Sequence, residues 1–502
     1  MTTSSQTETP PVQELSVDQL RASRLVKLQS LKDAGIDPYP PGPFDKEPIQ
    51  EVVTRELGAP ARIAGRIMRQ RVMGSIAFYE IADATGSMQI VLSKKDMEGC
   101  DAKGFSFWTD HLDLGDIIGV SGDRFDTKTG ERSVKVKVLT FLSKALRPLP
   151  DKHKGLQDEE TKLRKRYLDI MLNKEVRDMV MKKAIFWNSI RSFLMQRGFT
   201  EVYTPVLEIT TGGGDAKPFK THHNALDIDV FLRISNGELW QKRLMVAGLE
   251  KTFEIGRQFR NEGMSPEHLQ EYDQMEFYWA YANYELGMQL VEDLFKHMAQ
   301  ETFGTLVFSL DRHGQKFEID LGRKWERYDY TETIKSYTGV DITTASLSDI
   351  EKKLKELHVA FDPKGWNMAR AIDSLWKCCR RQIGGPGFLI NEPVAVSPLA
   401  KRMPGRPDLT QRFHVLIAGS ELGNGYSELN DPIDQAERFA EQQRLRDAGD
   451  EEAQMSDDDF VEALEHAMPP TCGFGLSERV FSFLLNKPVR ECQIFPLMKP
   501  LE

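Results

Sequence analysis

The stretch from Phe253 to Tyr281, FEIGRQFRNEGMSPEHLQEYDQMEFYWAY, constrains the fold more than any other part of the chain. Two runs with period-two alternation flank an irregular loop of roughly 263–270, the pattern of a long-looped antiparallel hairpin. Phe253, Ile255, Arg257 and Phe259 fall on one face of the first run, with Glu254, Gly256, Gln258, Arg260 and Glu262 on the other. On the second run Tyr272, Gln274, Glu276 and Tyr278 share a face, opposite Met275, Phe277 and Trp279. A solvated hairpin would carry small polar residues or lysines on its wet face. This one offers an arginine, glutamates and tyrosines, with His268 in the loop. Arg260 can grip a phosphoryl group with its planar fork, and Tyr272 gives a flat surface for a base. Glu262 can accept from an exocyclic amine, and Glu276 with Tyr278 makes an acidic, hydroxyl-bearing pocket. The plainer alternative is a surface hairpin laced by cross-strand ion pairs.

Two later segments add to this inventory. HVLIAGSELGNGYSELNDP (414–432) crowds Glu421, Asn424 and Glu428 into a glycine-broken strand, bend and strand. GFGLSERVFSFLLNKPVRECQIFP (473–496) reads as a glycine-rich strand end turning into an amphipathic helix with Arg479 on its first turn. Glycines let backbone lie under a purine, and Arg479 can stack on the ring or contact phosphate. Upstream, a long amphipathic helix over 173–198 leads into GFTEVYTP, and GGGDAKPFKTHHNALDIDVFLRIS follows. The Gly212–Gly214 triplet allows close backbone approach to a ligand.

At 502 residues two or three domains are expected. Residues 1–15 are polar and proline-bearing, an expected disordered tail. Ser16 to Gln19 has capping-box form and opens a helix with Leu20, Leu25, Leu28 and Leu31 as its stripe. Arg21, Arg24 and Lys27 lie close together on it and read as a solvated face, with contact to a phosphate backbone as the alternative. Five short strands follow between about 60 and 145, with a helical stretch between the third and fourth, which fits a barrel of the OB type. The predicted division is 1–15 tail, 16–150 helix and barrel, 151–172 linker, and 173–502 as the larger domain.

FRNEG followed by H…EY and MEFYWAY resembles motif 2 of class II aminoacyl-tRNA synthetases, in the form used by lysyl-tRNA synthetases. ELGNGYSELNDP and GFGLSER are similar to that family's later signatures, and the helix–strand–proline segment resembles its motif 1. AGRIM…F…GSMQIVL looks like its anticodon-binding barrel. The resemblance covers about Leu20 to Pro500. It implies an α+β fold: an antiparallel sheet flanked by helices, preceded by a five-stranded OB-type β-barrel. It also implies ATP-dependent attachment of L-lysine to tRNA(Lys) through a lysyl-adenylate, for protein synthesis, in a homodimer built through motif 1. By resemblance Arg260 and Arg479 are catalytic, and Arg260, Glu262, His268, Tyr272, Glu421 and Arg479 bind ATP. Gly214, Glu238, Glu276, Tyr278, Asn424 and Glu428 surround lysine. Arg71, Phe78 and Gln89 contact the anticodon, although periodicity alone leaves Phe78 equally readable as core.

Mg²⁺ is the implied cofactor, on Glu421 and a second position held here by His414, where the family usually has glutamate. Other departures are Glu267 and Leu269 beside His268, where Arg and Asn are commoner, and Ser477 in place of a third glycine. All fall on the triphosphate or metal side. Three alternatives stand beside this reading. An aspartyl- or asparaginyl-type ligase should present cations where this chain has acids. A lysine ligase acting on protein lacks the barrel. A non-catalytic RNA-binding paralogue is the third.

The net charge of −10 does not advertise a nucleic-acid binder, and no apolar run approaches the ~20 residues of a membrane span. No secretory signal is expected, because the first residues lack a basic region and an apolar core. Five cysteines without CxxC spacing fit reduced thiols in the cytoplasm.

Overall fold

The computed structural model describes residues 16–150, 156–214, 216–263, 265–312, 314–361, 366, 368–447 and 453–501. The tail predicted for 1–15 lies outside the described residues. The chain divides into two compact units, 1–157 and 158–502. No helix among the described residues is long and apolar enough to cross a membrane.

In the first unit, helix α1 (Val17–Asp33) begins at Ser16 with the reciprocal cap its sequence predicts. The Gln19 N–H donates to Ser16 Oγ at 3.3 Å, and the Ser16 N–H donates to Gln19 Oε1 at 2.8 Å. The expected solvated face is corrected for two of its three cations. Arg24 is buried and donates to the carbonyls of Ala145 and Arg147 at 3.1 and 2.9 Å, and Lys27 meets Asp113 at 2.8 Å. A buried donor needs an acceptor, so these heads stitch the helix to its own unit instead of facing solvent. Strands β1 (Pro60–Met73), β2 (Ile76–Ala82), β3 (Ser87–Ser93), β4 (Ile117–Asp126) and β5 (Arg132–Ser143) close into a barrel of order β1–β2–β3–β5–β4. Ile63, Ile67, Tyr79, Ile90 and Val136 fill it. Alternation along β2 buries Ala77, Tyr79 and Ile81 and leaves Phe78 half-buried on the outer face, where its register partner on β1 is Arg71. That settles the side on which Phe78 lies.

In the second unit, residues 159–172, part of the stretch 151–172 read from sequence as a linker, form two short helices. Arg166 in the second of them is buried against Asp169 at 2.7 Å. The centre of the unit is an eight-stranded sheet. Its order runs Glu326–Asp329, Gly387–Ile390, Arg412–Ile417, Ser420–Ser427, Thr471–Ser477, Glu271–Ala280, Lys251–Phe259 and Thr200–Glu201. Pairing is antiparallel through the middle and parallel at both ends.

Period-two alternation sorts the two faces of this sheet. Phe253, Met275, Phe277, Phe413, Val415 and Phe474 are all buried, in the core that the helices Lys174–Met195 and Tyr284–Phe303 also fill. The opposite face carries Gln274, Glu276, His414 and Asn424 with Gly473 and Gly475, and this is where the site forms. Gly473 is required by a close approach: a Cβ there would lie 2.1 Å from Glu428 Oε1 and 2.7 Å from the Tyr278 ring.

Candidate active site

A cavity of about 440 Å³ opens on the polar face of the sheet. It gathers the candidate residues from stretches well separated in sequence: Gly214 and Glu238, the hairpin, the strand pair of 412–428 and the 471–479 strand end. Its chemistry differs at its two ends.

One end is acidic. Glu238 opens the helix Glu238–Val246, Glu428 follows the strand Ser420–Ser427, and Glu276 lies mid-strand; all three are buried. Between the first two stands Lys242, one turn on from Glu238, with Nζ 2.7 Å from Glu238 Oε1 and 2.5 Å from Glu428 Oε2. Tyr426 donates its hydroxyl to the same Glu238 oxygen. Glu276 is held by the Asn236 N–H at 2.9 Å, Gln274 Nε2 at 2.6 Å and the Tyr278 hydroxyl at 3.2 Å. Glu428 Oε1 has no hydrogen-bond partner although the residue is 1% exposed.

Burial and the facing Glu238 push the Glu276 carboxyl up to about 7. Burial likewise raises Glu428, against the pull of Lys242. For Lys242 burial acts downward, but Glu238 and Glu428 outweigh it and hold the ammonium charged. Three acids and one ammonium thus form a wall short of positive charge, and a buried, unpartnered oxygen faces the cavity. It suits an incoming ammonium.

Lys242 was not singled out from sequence, although its i+4 spacing from Glu238 was available. Lys242→Met should cost about 3 kcal/mol of stability, because two buried carboxylates lose their shared cation. Chemical denaturation of wild type and variant checks this.

The other end carries two arginines, Arg260 and Arg479, with carboxylates beside them. Arg260 directly follows the first hairpin strand, with Nε and Nη2 donating to the Ile234 carbonyl at 3.4 and 3.3 Å. Its guanidinium stands 5.8 Å from the Tyr272 ring centre. Gly214 lies against it, so that a Cβ there would meet Arg260 Nη2 at 3.3 Å. Arg479 donates from Nη1 to the Glu421 carbonyl at 3.1 Å and from Nη2 to the Glu267 carboxylate; its buried Nε has no partner. His268 shares a hydrogen bond with Ser265 Oγ at 2.7 Å, and burial together with Arg479 lowers its pKa. Glu262 is on the exposed rim beside them.

Between the two ends, Asn424 Oδ1 accepts from Arg412 Nε at 2.9 Å. Arg412 is a second cavity residue that sequence reading passed over. Glu421 Oε1 accepts from Trp376 Nε1 at 2.6 Å and sits 3.1 Å from Arg380. His414 turns its Nε2 to Glu392 at 3.1 Å, and Glu392 also meets Arg412 at 3.2 Å. Its Nδ1 is 4.0 Å from Glu421 Oε2.

Mg²⁺ takes hard oxygens, commonly one or two carboxylates plus substrate phosphates. Glu421 fits one such position. His414 does not, because it offers nitrogen and is already turned to Glu392. Among the described residues no group of three His, Cys, Asp or Glu could hold a metal ion.

Both units are similar to known proteins. Residues 158–499 match the family of tRNA synthetases class II (D, K and N), and residues 61–142 match an OB-fold nucleic acid binding domain. The lysine–tRNA ligase of Aeromonas salmonicida is 40% identical, with 99% of each chain covered. Those of Moorella thermoacetica and Thermotoga maritima are each 42% identical, covering 96% of this chain and 98% and 96% of their own.

Proposed function

The chain belongs to the class II tRNA synthetases of the D, K and N group, and we propose that its cavity activates L-lysine with ATP and passes the lysyl group to tRNA. The observation that carries this is the polarity of one cavity: a wall of buried acids at one end, two arginines at the other. Lysine enters with its ammonium toward Glu428, Glu238 and Tyr278, and its carboxylate toward Arg260. The adenine lies by Tyr272 and Glu262.

A lysine carboxylate oxygen attacks the α-phosphorus in line. The bond from that phosphorus to the β-bridging oxygen breaks, and pyrophosphate leaves with the electron pair. A terminal ribose hydroxyl of tRNA then attacks the lysyl carbonyl and displaces AMP. No protein nucleophile takes part; Arg260 and Arg479 position the reactants and neutralise developing charge. Glu421 would hold a Mg²⁺ carried on the ATP phosphates, which adds further charge neutralisation there. His268, kept toward its neutral form, is a hydrogen-bonding group near the outer phosphates.

An aspartate or asparagine substrate would face carboxylates where it needs cations or amide donors. For the first unit, the support for anticodon contact is the outer face that pairs Phe78 with Arg71, an aromatic platform beside a cation. Gln89 is fixed by its Nε2 bond to Ser133 Oγ at 2.8 Å. Pairing with a second copy would cover the exposed Tyr203, Val206, Leu207 and Ile209 that follow the motif 1 helix. Free cysteines fit work in the cytoplasm.

Lysine-dependent exchange of labelled pyrophosphate into ATP tests the reading; no exchange with lysine refutes it. The acid wall adds a pH signature. Glu276 titrates near 7 in the free protein, and an ammonium beside it favours the ionised form. Lysine binding should therefore release protons near neutrality, and the KM for lysine should fall as pH rises from about 6 to about 8. Calorimetry in buffers of different ionisation enthalpy reads the proton count.

A further inference from the structure

The pairing of Arg479 with Glu267 has no part in the chemistry above, and it sits where a phosphate oxygen should bind. We propose that Glu267 sets the affinity of the site for phosphates: its carboxylate occupies the Nη2 edge of Arg479 and competes with ATP and pyrophosphate for it. This rests on the nucleotide lying at the Arg260–Arg479 end.

The placement of Glu267 is built into the fold. The Pro266 carbonyl accepts from the Val489 N–H at 2.8 Å, and the Glu267 N–H donates to Ser265 Oγ at 3.2 Å. Ser265 and His268 exchange backbone hydrogen bonds at 3.3 Å, closing the turn around Glu267. Arg479, for its part, does not need the carboxylate to be aimed. Its Nη1 bond to the Glu421 carbonyl holds it to the neighbouring strand. The contact therefore leaves the aim of Arg479 alone and cancels its charge.

The charge around this end supports the same conclusion. Arg260 and Arg479 are matched there by Glu262 and Glu267, so a triphosphate meets no net positive field from these four groups. Pyrophosphate, which has no base or ribose to hold it, depends wholly on such contacts. Glu267 should thus weaken ATP in the ground state and hasten loss of the first product. The pair is 22% and 28% exposed on its two sides, so the competition is modest in size.

The test is E267Q, with E267A as a second variant on this loop, in lysine-dependent exchange with ATP and pyrophosphate each titrated. Calorimetric titration of inorganic pyrophosphate gives its affinity directly. The KM for ATP and the dissociation constant for pyrophosphate should fall by about three- to tenfold, with the KM for lysine unchanged and kcat not increased. Tightening in either variant supports the inference. If neither tightens, or both weaken, Glu267 is a structural prop for Arg479 and the inference is overturned. Wild-type protein that shows no lysine-dependent exchange would instead refute the reading of the site, whatever pyrophosphate does.

Discussion

Glu428→Gln should lower kcat/KM for lysine in pyrophosphate exchange by roughly thirty- to a thousandfold, with ATP affinity nearly unchanged. The reason is charge balance in the acid wall. Lys242 lies between Glu238 and Glu428, so its ammonium already balances one of the two. With glutamine at 428, Glu238 and Lys242 neutralise each other, and only Glu276, titrating near 7, is left to face the substrate ammonium. The amide keeps a single oxygen, which Lys242 claims, and presents NH2 donors where the carboxylate had an oxygen with no hydrogen-bond partner within the protein. Lost charge-assisted contacts of this kind cost about 2–4 kcal/mol, which corresponds to roughly thirty- to a thousandfold. Steady-state exchange with lysine varied at saturating ATP measures it. A variant within threefold of wild type would remove Glu428 from the lysine site.

Arg260→Ala should reduce adenylate formation by about a thousandfold, mostly in kcat. Its guanidinium is fixed by two bonds to the Ile234 carbonyl and stands beside Tyr272 and Gly214, where substrate carboxylate and α-phosphate would meet. Donors aimed at charge that develops in the transition state act chiefly on kcat. Arg260→Lys should recover only part of the loss, because a single ammonium cannot keep the carbonyl bonds and also bridge two oxygens. Single-turnover formation of lysyl-adenylate separates this effect from product release. Loss confined to the KM for ATP would show that Arg260 is a ground-state contact only.

The hairpin, the barrel and the polar face of the sheet were legible in the sequence because each is written in period-two alternation over a few residues. The same alternation predicts that Glu276 and Tyr278 share a face and that Phe277 lies in the core, as they do. What stayed illegible is pairing across long separations. Nothing local ties Lys242 to Glu428, Glu267 to Arg479 or Arg412 to Glu392. Arg24 looked solvated for the same reason: its acceptors are carbonyls more than a hundred residues away. Phe78 was undecided because it lies between two residues apolar enough to be core, and only the closed barrel shows which way the strand faces.

His414 is a second case of a partner brought in from outside its own strand. Sequence could mark it as unusual, but Glu392, the group that engages it, was not among the residues the sequence singled out. Its presence explains how a histidine is accommodated there. Glu392 is held well into the ionised range, at about 2, by His414 and Arg412 acting against its burial.

A crystal structure of the protein with a non-hydrolysable lysyl-adenylate analogue tests the two-ended cavity most directly. The ε-ammonium should lie within hydrogen-bonding distance of Glu428 Oε1, with the phosphoryl mimic on Arg260 and the adenine against Tyr272. An analogue seated elsewhere, or one whose ammonium points away from Glu238 and Glu428, would contradict the assignment of both ends.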